Sequence, residues 1–220
     1  MPSLIQERML EILSASLWSQ EGDFHCADTW SNLREEMDKQ AVSCIPGKII
    51  DSLNLDIRQY VDYQTMIGDN LRSFYGILAA QSKVLELFKS NDIPVVVLKG
   101  AAAAMYYPKA DLRSMGDIDL IVLPEDFEKA HTLMSNAVYR EESGDKYLRH
   151  AKFFDDMNHE IELHRHFSSS QNTVANKALD SIVFEGIKKR EWADVAGFKI
   201  PVLPPLANGI VLLEHINHHL

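Results

Sequence analysis

Cysteine is scarce in this chain of 220 residues: Cys26 and Cys44 are the only two. They lie in unrelated contexts, so cysteine usage indicates neither a disulfide framework nor a zinc site. Long apolar runs are missing as well. No stretch approaches the roughly 20 residues that a membrane span requires. The N-terminus, Met1-Pro2-Ser3-Leu4-Ile5-Gln6-Glu7-Arg8, carries charges where a signal peptide would need an apolar centre. A soluble cytoplasmic protein is therefore expected. Positive charge is in short supply, with 22 Lys and Arg against 32 Asp and Glu and a net charge of −10. Loose binding to nucleic acid normally needs a basic patch, so neither long nucleic acid nor a membrane is expected as a partner. Acidity does not exclude a nucleotide held through metal ions, because the metal then supplies the positive charge. Internal repeats and low-complexity tracts are absent.

What is present is an ordinary globular balance, 46% hydrophobic and 25% charged residues, in a chain long enough for one domain or two small ones. Residues 1–92 read as helical. Leu4, Met9, Leu10, Ile12, Leu13 and Leu17 recur at helical spacing, with Ser3 as cap and Gln6 three residues on. Gly22-Asp23 and Pro46-Gly47 punctuate the segment, and a longer periodic pattern runs from about Ile57 to Leu87 with Gly68-Asp69 as a candidate break. These aromatic and Met stripes predict a packed helical core.

Beyond the turn at Asn91-Asp92-Ile93-Pro94 the period changes. Val95-Val96-Val97-Leu98 and Ile118-Asp119-Leu120-Ile121-Val122 are short, β-branched and bounded by turn formers, which predicts two buried strands. Ala101 to Tyr107 predicts a short helix stopped by Pro108, and Pro124 opens another with Phe127, Ala130, Leu133 and Met134 inward. Tyr147–Phe154 and Glu160–His166 predict two more strands around the turn at 155–158, and residues 173–189 a helix. Pro201, Pro204 and Pro205 predict a connector before a last helix from Leu206. That helix reaches Leu220 with no stop signal, as expected of a chain cut short there.

Chemistry concentrates between these strands. Asp117 and Asp119 are two apart at a strand start, so their carboxylates share a face and repel unless a cation lies between them. Hard oxygen ligands of this kind suit Mg²⁺ (or Mn²⁺). In His159-Glu160-Ile161-Glu162-Leu163-His164, the residues Glu160, Glu162 and His164 share the polar face of a strand. One of the two glutamates there can complete a three-carboxylate set, enough for a pair of metals about 3.5–4 Å apart. Gly100 ends the first strand just before a helix, where backbone N–H groups can approach a phosphate. Lys99 and Arg113 add full charges, each alternatively structural. His164 and His166 flank the pocket with no assigned chemistry. His215 and His219 match no hydrolytic zinc motif.

Leu98-Lys99-Gly100-Ala101, Tyr107-Pro108, Arg113-Ser114-Met115-Gly116-Asp117-Ile118-Asp119-Leu120-Ile121-Val122 and Glu162-Leu163-His164 together resemble the nucleotidyltransferases of the DNA polymerase β superfamily. The likeness is to the bacterial group reading Leu-Lys-Gly, then Arg, then Asp-Ile-Asp-Leu, then Asp-Leu-His, and it covers about residues 93–166. It implies an α+β fold with a short mixed sheet flanked by helices, preceded here by a helical N-terminal region. The organisation implied is 1–92 helical, 93–203 catalytic core and 204–220 a C-terminal helix. It also implies transfer of a nucleoside monophosphate from an NTP, ATP among them, to a hydroxyl- or phosphate-bearing acceptor, with release of pyrophosphate. That acceptor is a small molecule, a peptide or protein, or a tRNA end. The metal ligands fall on Asp117, Asp119 and Glu162, and the phosphate loop on Gly100 and Ala101 with Lys99 and Arg113. Ala101 lacks the hydroxyl of the superfamily's usual Gly-Ser, Glu162 stands where Asp is commoner, and the interval from Gly100 to Asp117 is long. These departures leave a non-catalytic, nucleotide- or partner-binding relative as the alternative.

Overall fold

The computed structural model describes residues 3–137, 139–141, 150–168 and 172–219, and Tyr147 to Arg149 of the expected fourth strand lie outside them. Chain contacts divide it into two compact units, residues 1–75 with 106–114, and residues 76–105 with 115–220.

The first unit is built from helix α1 (Leu4–Trp18), helix α2 (Trp30–Lys39), a 3₁₀ stretch at Ile45–Leu53 and the start of helix α3 (Ile57–Lys89). The expected cap forms in full: Gln6 N–H donates to Ser3 Oγ at 3.2 Å, and Ser3 N–H donates back to Gln6 Oε1 at 2.9 Å. Two donors that a helix start leaves unpaired are thereby satisfied. Met9, Ile12, Trp30, Leu33, Met37, Leu53 and Tyr63 share one core, which also takes in Leu112. Burying each such large side chain contributes about 1.5–3 kcal/mol. Asn70 Nδ2 donates to the Asp111 carbonyl at 2.9 Å, tying the 106–114 segment to α3. The candidate break at Gly68-Asp69 does not occur, and α3 continues through it. A mid-helix glycine costs only about 1 kcal/mol, less than the packing of the apolar stripe on either side of it.

The second unit contains the sheet. Its strands are β1 (Val95–Leu98), β2 (Ile118–Val122), β3 (Arg140–Glu141), β4 (His150–Phe154) and β5 (Glu160–His164), in the order β1-β2-β5-β4-β3. β2 and β5 are parallel; the other pairs are antiparallel. All residues of β1 and β2 are buried, as expected of strands covered on both faces. Val96, Leu98 and Ile121 pack with Val183 and Ile187 of helix α6 (Val174–Lys188) and with Ala207 and Val211 of helix α7 (Pro205–His219). Helix α4 (Gly100–Ala104) follows β1 and is shorter than the expected 101–107, ending before Met105. Helix α5 (Phe127–Asn136) buries Phe127, Ala130 and Met134.

Residues 191–202 take in Pro201, which was expected in a connector. They form a two-stranded hairpin, β6 (Glu191–Val195) and β7 (Phe198–Val202), closed by Ala196 at φ 52° and Gly197 at φ 88°. Two successive positive φ values make the tight turn whose twist matches antiparallel strands. Pro201 pairs with Trp192 in a two-stranded ribbon, where a missing N–H is tolerated. No described helix is long and apolar enough to cross a membrane.

Candidate functional site

The site is assembled by register. β2 and β5 run parallel with Asp119 opposite Glu162, and β1 lies on the other side of β2 with Leu98 opposite Asp119. Asp117 immediately precedes β2. Oxygen atoms of Asp117, Asp119 and Glu162 all lie within 4.8 Å of one another. Glu160, two residues before Glu162, instead accepts from Lys152 Nζ at 2.5 Å. Lys152 also reaches Glu162 Oε1 at 3.1 Å.

Two basic side chains face this negative charge. Lys99 Nζ is 2.7 Å from Asp119 Oδ1, with Asp119 only 1% exposed. Lys99 reaches it from backbone angles of φ 47° and ψ −131°, a region that side chains with a Cβ rarely adopt and that costs about 1–3 kcal/mol. His164 is the second, buried on β5 with Nε2 at 2.9 Å from Asp119 Oδ1 and 3.3 Å from Glu162 Oε2. Sequence reasoning gave this histidine no chemistry. Its signal was the alternation along β5, which sets it on the same face as Glu162.

The electrostatics follow from these contacts. Burial would raise the Asp119 carboxyl, but the hydrogen bond and charge of His164, together with Lys99, outweigh it and hold Asp119 below the usual carboxylate range. Glu162 is held far below that range, chiefly by the hydrogen bond from His164. Burial pulls the His164 pKa down, but hydrogen bonds to Asp119 and Glu162 carry it above its ordinary value. Asp117 behaves oppositely: burial first, then the charge of Asp119, push its carboxyl up. Its ionised form is thus the strained member of the cluster. A raised carboxyl contributes stability below its ordinary value of 3.8, and that contribution is lost as pH rises through the higher folded value. Asp117→Asn, which imposes the neutral form, is expected to leave the melting temperature at pH 7 without added metal unchanged or higher. A drop of more than about 4 °C, roughly 1 kcal/mol or more in a chain of this size, would contradict this electrostatic account.

The bend at Gly100 adjoins the carboxylates. A Cβ there would lie 3.5 Å from the Asp117 carbonyl, an ordinary contact, so the glycine is favoured by its φ of +21° rather than by lack of space. Gly100 and Ala101 are both buried. Arg113 belongs to the first unit, where its guanidinium donates to the Ser114 carbonyl at 3.2 Å and lies 6.0 Å from the centre of the Tyr107 ring. The structure therefore gathers Lys99, Asp117, Asp119 and Glu162 beside Gly100 and adds His164. Three converging carboxylates, one of them raised by burial and then by its neighbour's charge, are a donor set that fits a hard divalent cation.

A family described as an uncharacterised nucleotidyltransferase matches residues 64–220. None of the curated proteins matches the chain. Among solved structures, a protein from Thermotoga maritima provisionally assigned as a nucleotidyltransferase is similar at 15% identity. The match covers 64% of this chain and 86% of that one, with a TM-score of 0.42, too loose a likeness to carry any inference.

Proposed function

The chain belongs to this family of uncharacterised nucleotidyltransferases, and on that premise we propose that it moves a nucleoside monophosphate from an NTP to a hydroxyl- or phosphate-bearing acceptor. The acceptor oxygen forms a bond to the α-phosphorus, and the bond to the departing pyrophosphate breaks. Asp117, Asp119 and Glu162 hold divalent ions, Mg²⁺ or Mn²⁺, which when bound neutralise the triphosphate and lower the pKa of the attacking oxygen. Glu162 acts as a ligand rather than a base, because a carboxyl held so far below its ordinary range is a poor proton acceptor. Backbone N–H groups at Gly100 and Ala101 and the Lys99 ammonium bind phosphate oxygens. Catalysis is then mainly positioning and charge neutralisation. The acceptor is a small molecule, a peptide or protein side chain, or a tRNA end.

One observation carries the reading: the parallel β2–β5 register sets Glu162 opposite Asp119, so three carboxylates converge next to a glycine bend at a strand end. The test is incubation with each NTP labelled at the α-phosphate, with Mg²⁺ and cell extract, followed by identification of whatever carries the label. Labelling that stops with EDTA is the expected result. Calorimetry supplies the second arm. An NTP with Mg²⁺ at a hundred times its dissociation constant should stabilise the protein by about 2.7 kcal/mol, and chelation should remove that gain. Metal-dependent stabilisation with no labelled product from any extract would identify a nucleotide-binding protein without transferase activity.

A further inference from the structure

The β4–β5 ladder builds a second donor set beside the first. His150 and His164 are direct partners across the antiparallel pair, and Glu162 lies two residues before His164 on the same face. The two imidazole rings are 5.1 Å apart, centre to centre. His150 Nε2 is 3.5 Å from Glu162 Oε1, and His164 Nε2 is 3.3 Å from Glu162 Oε2. One ligand atom from each residue lies within 4.8 Å of the other two.

These separations are informative. Ligand atoms about 2.0–2.1 Å from a tetrahedral zinc ion stand about 3.3–3.4 Å from one another. The two contacts to Glu162 are of that size but run to different oxygens of it, so its carboxylate must turn to present one oxygen to both nitrogens. Two imidazoles and one carboxylate are also the set that zinc accepts with a fourth position left open, whereas Mg²⁺ takes oxygen ligands and keeps much of its water. The geometry points to a cation site at His150, Glu162 and His164 that selects Zn²⁺ or a similar borderline transition ion, distinct in chemistry from the three-carboxylate cluster. Filling it is feasible locally. Lys152 would release Glu162 Oε1 but keeps Glu160 at 2.5 Å, and Asp119 would release His164 but keeps Lys99 at 2.7 Å.

The affinity is expected to be moderate. His164 Nδ1 is buried with no hydrogen-bond partner among the described residues, and such a partner normally strengthens a ligating imidazole, by about 10–100-fold in affinity. Micromolar binding of one ion per chain is the expectation. The inference rests on the strand register and the distances, and it holds whether or not the chain transfers nucleotides.

The test is titration of the chelator-stripped full chain with ZnCl₂ by calorimetry, and with Co²⁺ by visible absorption, in the absence of nucleotide. The expected results are one equivalent of Zn²⁺ bound at micromolar affinity and the intense spectrum of tetrahedral Co²⁺. His150 is half-buried, so H150Q should remain folded, and it is expected to weaken Zn²⁺ at least about tenfold. D117N, which removes a carboxylate outside the triad, should leave Zn²⁺ affinity within about twofold, since it takes away no ligand of that ion. A weak octahedral Co²⁺ spectrum in the parent chain, unaltered Zn²⁺ binding in H150Q, or loss of it in D117N would each overturn the assignment.

Discussion

Asp119→Asn should lower pyrophosphate release by about a thousandfold or more while the chain stays folded. A lost metal-binding charge forfeits several kcal/mol of transition-state stabilisation, and about 4 kcal/mol corresponds to a factor of about a thousand. The substitution keeps shape and an acceptor oxygen, so the Lys99 ammonium at 2.7 Å retains a hydrogen bond even though the ion pair is gone. Asp119 is also the oxygen on which Lys99 and His164 converge. Its neutralisation leaves Lys99 without its ion pair and His164 with Glu162 as its charged partner, and costs some stability, less than the roughly 3–5 kcal/mol of breaking a wholly buried pair, because Lys99 remains 17% exposed. Pyrophosphate release and circular dichroism on the same preparation separate the two effects. Turnover within tenfold of the parent enzyme would rule out Asp119 as a ligand of the catalytic ions.

The largest stability effect is expected away from the carboxylates, at Asp180. This residue of α6 is 2% exposed. Its Oδ1 accepts from the Phe167 and Ser168 N–H groups at 3.0 and 2.8 Å, and its Oδ2 accepts from Ser168 Oγ at 3.1 Å and lies 3.3 Å from His166 Nδ1. One carboxylate thus pins the backbone that leaves β5 to the helix behind the sheet. Asp180→Ala takes the acceptor from two buried N–H groups and a hydroxyl, at about 1–3 kcal/mol for each group left poorly paired. A loss of about 3 kcal/mol or more is expected, read as a lower urea midpoint at unchanged slope. Asp180→Asn keeps one acceptor oxygen and should lose less. A loss under about 1 kcal/mol for the alanine variant would show that solvent replaces these bonds, contrary to the burial seen here.

How much of this was legible in the residues varies by element. β1 and β2 were, because a β-branched apolar run between turn formers has few alternatives. So was α6, which begins at Thr173 with its hydroxyl accepting from Asn176 N–H at 3.0 Å. The β6–β7 hairpin was not: Pro201 argued against a strand, and its turn uses Ala196-Gly197 rather than the Asn-Gly or Asp-Gly pair that marks such turns. The unbroken α3 was misjudged because a single glycine penalty is small beside the packing of a 33-residue amphipathic helix.

For the site, the Asp117–Asp119 pair was readable from local geometry, since strand alternation sets residues two apart on one face whatever the rest of the chain does. The same alternation narrowed the third acid to Glu160 or Glu162, and the family resemblance pointed to the latter. Which of them meets the aspartates depends on how β5 pairs with β2. That pairing joins residues 43 positions apart, Asp119 with Glu162, and a shift of one residue would turn every side chain of β5 to the other face. Local patterning therefore set which segments became strands and which residues shared a face. Strand order and register, settled by burying both faces of the sheet under helices, decided that Glu162 and His164, rather than Glu160, join Asp119, and that His150 comes to lie opposite His164.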